Sequence, residues 1–262
     1  MTGPSIRSAD AVPGWASTLA EALDRATRAV VDGAGSVSVL YSGGLDSSLV
    51  AHLAKQVGPV ELVVIGTDGS KDPAAAEQGA RLLDLPIRKI VVGEEDLAAA
   101  EQRFATDLEA LGEPHRSVAL AFGIALSQRL RPRVLVGQGA DELFYGYSHF
   151  RGLSHDAAIR RARSDWDSLE GTEWPRARRM AGRLGLDLRS PFLDPEVVRI
   201  AWTLDPPQGD EPPKAALRTV AELLGVPDPL VRAAKRALQY GSGVHRMAVR
   251  RSRAEPARQI SS

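Results

Sequence analysis

With 262 residues and 28.0 kDa, 44% of them hydrophobic and 25% charged, the chain can bury one good core or two tightly joined halves. The 33 basic and 33 acidic residues cancel. No apolar stretch reaches membrane-spanning length, and Met1 to Pro13 lack the apolar middle of a signal peptide, so a cytoplasmic protein without membrane contact is expected. The absence of cysteine excludes disulfides, thiolate metal sites and a cysteine nucleophile.

Trp15 to Val31 reads as an amphipathic helix, with Leu19, Leu23, Ala26 and Val30 at helical spacing. Val37-Ser38-Val39-Leu40-Tyr41 then reads as a strand, interrupted by Ser42-Gly43-Gly44-Leu45-Asp46-Ser47-Ser48 and resumed as a helix. A strand that breaks at two glycines and restarts as a helix leaves backbone N–H groups converging on one spot, where helix polarity favours an anion. Asp46 puts a carboxylate beside that seat, which suits a hard divalent cation bridging it to phosphate oxygens.

Further strands are expected at Val60–Gly66, Ile87–Val92 and Arg133–Gly137, and helices after Asp72, from Glu94 to Leu111 and from Ser117 to Leu130. The alternation implies an α/β protein: a parallel sheet with helices on both faces and ligands at the carboxyl ends of the strands. Beyond Tyr147 the strand signals fade. Pro195–Leu204, Pro213–Leu224 and Pro229–Leu238 read as helices opened by proline, and residues 250–262 as a frayed basic tail. Residues 1–150 carry 13 basic and 19 acidic side chains and residues 151–262 carry 20 and 14, so the halves hold −6 and +6. An acidic half could hold a metal while a basic half closes over phosphates; solvated helix faces explain the asymmetry equally well. The arginines from Arg160 to Arg183 have no interleaved aromatic ladder, which argues against nucleic acid as a partner.

Four more segments fall at strand ends or helix starts. Gly66-Thr67-Asp68-Gly69-Ser70-Lys71-Asp72 is, taken singly, a turn in which Asp72 caps a helix with Pro73 at its first position. Gly137-Gln138-Gly139-Ala140-Asp141-Glu142-Leu143-Phe144 puts two carboxylates at a helix start, where the dipole alone would favour them. Arg189-Ser190-Pro191-Phe192-Leu193-Asp194 is a proline turn with a capping aspartate. Arg232-Ala233-Ala234-Lys235, leading to Gln239-Tyr240-Gly241-Ser242-Gly243, is a cationic helix end entering a loop.

In this order and spacing, from about Val37 to Gly243, the segments resemble the synthetase domain of asparagine synthetases, a branch of the PP-loop ATP pyrophosphatases. The resemblance implies a Rossmann-like sheet of the adenine nucleotide α-hydrolase type with a mainly helical C-terminal portion. It divides the chain into an N-terminal segment (1–32) and a synthetase-like domain (33–262), the latter comprising a nucleotide-binding core (33–147), a helical portion (148–249) and a basic tail (250–262). It further implies an ATP- and Mg2+-dependent ligase that adenylates a carboxylate, aspartate in the family, releases pyrophosphate and passes the acyl group to an amine. Ser42, Gly43, Gly44, Asp46 and Ser47 would cradle pyrophosphate, with Asp46 and Asp141 on magnesium. Tyr41, Ile65, Val136 and Gly137 would line the adenosine slot through backbone and apolar contacts, and Glu142 would support the metal and substrate region. Lys235 matches the family's late lysine, whose charge stabilises the reacting α-phosphate, a contact worth about 3 kcal/mol of barrier. Gln138, Asp72 and Arg189 would touch the substrate pocket. Lys214 and Arg218 match a Lys-x-x-Leu-Arg pattern, where a packing role is equally open.

Several positions depart from the family. Asparagine synthetases carry an N-terminal glutaminase domain opening on a cysteine, whereas Thr2 follows Met1 here, so free ammonia, another amine or a separate glutamine amidotransferase is expected to supply nitrogen. Gln138 stands where many members have glutamate, and an amide cannot act as a base; an amide ligase or cyclase for another carboxylate is therefore the alternative. A nucleotide-binding module that regulates a separate glutaminase is a third reading. Pro86-Ile87-Arg88-Lys89 replaces a frequent histidine pair, and Tyr145, in place of glycine before Gly146-Tyr147, is expected to narrow the pocket. His52, His115, His149, His155 and His245 show no zinc-ligand spacing.

Overall fold

The computed structural model describes residues 13–70, 72–233 and 243–258. Five parallel strands, β1 (Val37–Leu40), β2 (Val60–Gly66), β3 (Ile87–Val91), β4 (Arg133–Leu135) and β5 (Asp187–Arg189), form one sheet in the order β3-β2-β1-β4-β5. Val37 lies opposite both Val60 and Arg133, so β1 is central. The chain steps outward from β1 to β3, then returns to the other side of β1. At such a reversal, loops leaving β1 and β4 diverge and open a crevice at their carboxyl ends.

Alternation along the strands feeds two cores. Val37, Val39, Leu62, Val64 and Leu135 face one side; Ile65, Val134, Val136 and Leu188 face the other. Helices α1 (Gly14–Val31), α2 (Leu45–Ala54) and α3 (Asp72–Leu83) cover the first face. The second is covered by α4 (Glu94–Arg103), α5 (Ala105–Leu108) and α6 (His115–Leu126), joined later by α9 (Trp174–Gly182) and α13 (Val244–Arg258). A one-turn helix, α7 (Ala140–Leu143), leads from β4 to α8 (His155–Ser168). Helices α10 (Pro195–Ala201), α11 (Ala215–Leu223) and α12 (Asp228–Val231) return to the first face, where α1 packs against both α10 and α11. Helix α1 is thus part of the first core.

The expected helix from Glu94 to Leu111 breaks at Phe104, whose φ of −110° and ψ of 20° end α4 while its ring sinks fully into the second core. Gly123 of α6 leaves room for that ring, since a Cβ there would press on Phe104 and Met180. Strand β5 carries no apolar run to announce it: only Leu188 is buried, between two charged residues. The expected helix from Pro213 instead starts at Ala215, because Lys214 adopts a left-handed φ of 62°. Of the helix expected over 229–238, α12 covers the part up to Val231 and residues 234–238 lie outside the described residues; α13 continues through Arg258 where a frayed tail was expected. Asp194 caps α10 as its sequence suggests, accepting the Glu196 N–H at 2.9 Å. Among the described residues no helix is long and apolar enough to cross a membrane.

Candidate functional site

Strand β1 keeps its ladder as far as Tyr41, whose N–H donates to the Val63 carbonyl at 2.8 Å, and the chain then turns at Gly43 with φ 75°. A Cβ at Gly43 would lie 2.9 Å from the Ala75 carbonyl of α3, so both the conformation and the space demand glycine. Gly44 forms the N-cap of α2 and no side chain caps that end, leaving its first N–H groups without intrahelical partners. Ser42 and Ser47 close the bend with hydroxyls 3.3 Å apart, and Ser47 donates to the Gly44 carbonyl at 3.3 Å. A glycine bend opening onto a helix N-terminus has the form of an anion cradle.

The end of β4 closes against this bend. A Cβ on Gly137 would fall 2.8 Å from that of Asp46, which sits in the first turn of α2. The chain then turns at Gly139 with φ 95° into α7, and Ser190 braces the turn by donating to the Gln138 carbonyl at 2.6 Å. The Lys214 ammonium lies 2.6 and 2.5 Å from the two Asp46 carboxylate oxygens and 2.8 Å from Asp141 Oδ1. Its side chain is 5% exposed, against 24% and 23% for the two aspartates. Gly146 permits this approach, because a Cβ there would meet both Asp141 and Lys214. Burial alone would lower the Lys214 pKa, but Asp46 and Asp141 outweigh it and the ammonium is held charged.

Glu142 is buried behind this cluster and accepts the Tyr147 hydroxyl at 2.5 Å. Burial, and then the neighbouring Asp141 charge, push its carboxyl up to about 7, partly offset by the tyrosine bond. Burial and the adjacent acids hold the Tyr147 phenol protonated, well above its ordinary range. Its ring is stacked on His149 at 5.1 Å. Tyr145 has φ 56°, a conformation natural to the glycine it replaces, and its ring packs edge-on against Phe150 at 5.3 Å. That ring walls two cavities, so it narrows the space around it.

The structure therefore gathers Ser42, Gly43, Gly44, Asp46, Ser47, Gly137, Asp141 and Glu142 at one end of the sheet. Tyr41 is different: its side chain is 2% exposed, with its hydroxyl 3.0 Å from that of Ser48, and supports the bend from beneath rather than lining a slot. Ile65 and Val136 likewise point into the second core, so what they offer a ligand is backbone. Arg189 turns back to Asp187 at 2.7 Å instead of reaching toward Gln138. Gln138 Oε1 is buried without a hydrogen-bond partner among the described residues. Lys235 and the side chain of Asp72 lie outside the described residues.

The residues flanking the Lys235 segment are nevertheless anchored beside the site. Arg218 donates to the carbonyls of Pro213 at 2.9 Å and Ala233 at 3.3 Å, and also to that of Val231. Gly243, at φ 80°, packs against Thr67 beyond β2. In the Lys-x-x-Leu-Arg pattern the arginine is thus the packing member, while the lysine sits at the centre of the acid pair. Three arginines of the second half are engaged within the fold: Arg183 pairs with buried Asp107 at 2.7 Å, Arg161 with Asp165 at 2.9 Å, and Arg163 covers the Trp202 ring at 3.8 Å. His245 Nδ1 lies 2.9 Å from Ser117 Oγ, and His149 Nε2 lies 2.7 Å from Asp165. No group of three or more His, Cys, Asp or Glu side chains among the described residues is arranged to hold a metal. Two hard carboxylates converging on one cationic point do fit a magnesium ion that takes its remaining ligands from phosphate and water.

Comparison with known proteins bears on the same elements. The model of the asparagine synthase family matches residues 18–177 and 154–262. A Methanocaldococcus jannaschii protein named for glutamine-hydrolysing asparagine synthetase is 33% identical over 195 residues, covering 70% of this chain and 36% of that protein. An asparagine synthetase domain-containing protein of Drosophila melanogaster is 26% identical over 256 residues, covering 79% of this chain and 44% of that protein. The chain thus spans less than half the length of these relatives. The NMN synthetase of Francisella tularensis aligns at 15% identity and a TM-score of 0.45, covering 88% of this chain and 78% of that one. With the family model extending across nearly the whole sequence, the chain belongs to the asparagine synthase family.

Proposed function

We propose that this chain is the synthetase portion of an ATP-dependent, AMP-forming amide ligase. The observation that carries the reading is the convergence of Asp46 and Asp141 on one cationic point at the mouth of the glycine bend. In the first step a substrate carboxylate oxygen bonds to the α-phosphorus of ATP, and the bond to the bridging oxygen breaks as pyrophosphate leaves with the electron pair. In the second, an amine bonds to the acyl carbon, the bond to AMP breaks and the nitrogen sheds a proton.

The chain's part is electrostatic preorganisation. The N–H groups of the bend and of the first turn of α2 would receive pyrophosphate, with Ser42 and Ser47 holding the loop in shape. Asp46 and Asp141 would hold Mg2+, which when bound supplies positive charge to the phosphate oxygens. Lys214 occupies that point in the structure and balances the charge of the two carboxylates. Arg218 would position the segment carrying Lys235 beside the α-phosphate.

Aspartate is the family's acyl donor, but Gln138 favours a different carboxylate or an amine that arrives already uncharged, because its amide cannot take up a proton. The nitrogen source, free ammonia or a separate glutaminase, and a cytoplasmic location are part of the same proposal. Pyrophosphate release from ATP and Mg2+ across a panel of carboxylates tests it. Asp46→Asn should cut release about a hundredfold or more, since the metal loses a charged ligand. Unaltered turnover in that variant would overturn the ligase reading.

A further inference from the structure

Behind the acid cluster lies a cavity of about 740 Å³, bounded on one side by the turn from Tyr145 to Leu153 and on the other by the strap from Pro206 to Pro213. The cavity adjoins the cluster at Gly146 and Pro213. Gly146 touches Asp141 and Lys214 while its two neighbours line the cavity, and Pro213 lines it immediately before Lys214. The residues around it include Tyr145, Tyr147, Phe150 and Leu153 from the turn and Pro206, Pro207 and Pro213 from the strap. The surfaces are preorganised: Phe150 is edge-on to Tyr145 at 5.3 Å and stacked with Tyr147 at 6.3 Å. His155 Nε2, 2.9 Å from Asp205, ties the start of α8 to the base of the strap.

We propose that this cavity is the seat of the acyl donor and that it selects an aryl or arylalkyl carboxylate larger than aspartate. The inference rests on the ligase reading and deepens it by naming the substrate class. The volume lies within the roughly 300–1,000 Å³ of sites that enclose drug-sized ligands, far beyond what a four-carbon amino acid fills. Aspartate would fill only a small part of this space and leave the aromatic and proline surfaces facing water. A flat aromatic body instead slots between the tyrosine rings and the proline strap, burying apolar surface on both faces. The charged side chains on the wall, Arg151 and His155 against Asp210 and Glu211, are balanced in sign, so the body that enters need carry no net charge.

The test uses 4-phenylbutyrate and indole-3-propionate as probes, with aspartate as comparator. Binding is read by saturation-transfer NMR without ATP, and activation by ATP–pyrophosphate exchange. Leu153 is 40% exposed and lies outside the acid cluster, so Leu153→Trp fills the cavity without overpacking a core; Leu153→Asn is the milder partner should the first fold poorly. Either aryl acid is expected to bind the wild type, and Leu153→Trp to weaken that binding and the matching exchange about tenfold or more with ATP affinity unchanged. Failure of both aryl acids to bind, or binding insensitive to both Leu153 variants, overturns the proposal. Exchange driven by aspartate alone and untouched by Leu153→Trp also overturns it while leaving the ligase reading intact. Exchange with no acid at all counts against the ligase reading itself, and the binding arm still decides the cavity.

Discussion

At the residue scale, the centre of the site is a buried ammonium between two half-sheltered carboxylates, and its strength depends on keeping all three. Removing one partner of such a group leaves an uncompensated charge, a costlier change than the intact group's small net contribution. Glu142 presents the opposite case, a carboxyl that burial and Asp141 bias toward its protonated form. Its folded value of about 7 lies above the ordinary 4.5, so its contribution to stability is complete below pH 4.5 and is lost as pH rises through about 7. At 1.36 kcal/mol per pKa unit, the loss is on the order of 3 kcal/mol. In divalent-free buffer the wild type should therefore lose more stability than Glu142→Gln between pH 5 and pH 8, as urea unfolding would measure. A variant that loses as much as the wild type would show that Glu142 is ionised in the fold. Asp46 and Asp141 were legible because their glycine-flanked motifs imply a strand-to-helix bend; the partnership of Tyr147 with Glu142 was not, since a tyrosine five residues on reaches its acid only through the turn at Tyr145 and Gly146.

At the scale of elements, Arg218 joins the start of α11 to the exit of α12, and so links Lys214 to the segment that carries Lys235. Arg218→Ala removes three hydrogen bonds from a charged donor to backbone carbonyls. It should cost about 2–4 kcal/mol of stability and lower kcat more than it raises the KM for ATP, because the glycine bend is untouched. Steady-state kinetics with equal losses in both constants would contradict this positioning role. The strands of the central sheet were legible from apolar runs, as expected when both faces are covered. Strand β5 was not, because as an edge strand it buries one side chain of three. The start of α11 was hidden for a different reason: Pro213 suggests a helix opening, yet Lys214 is left-handed and the helix begins only at Ala215.

For the molecule as a whole, the two cores lie on opposite faces of one sheet and share strands β1 to β4, and pairs such as Arg183 with Asp107 join the basic half to the acidic half across the second core. The domain should unfold as a unit. Of the four tryptophans, Trp166 is buried in the first core, Trp15 and Trp202 pack against it and Trp174 packs against both cores, so fluorescence is weighted to the first side while far-UV circular dichroism reports all helices. The two transitions in urea are expected to superimpose. A fluorescence transition preceding the loss of helix would show that the cores melt separately.

Hydrophobic periodicity and glycine placement, both local properties, by themselves determined that this protein has a parallel sheet flanked by helices and a glycine bend followed by an acid. Tertiary structure alone decided what faces that acid. The distances from Lys214 to Asp46, from Tyr147 to Glu142 and from the proline strap to the tyrosine rings depend on how turns far apart in the chain close over one another. The physical reason is that a motif specifies backbone shape over a few residues, whereas the charge balance and volume of a site arise from segments that meet only when both cores have packed.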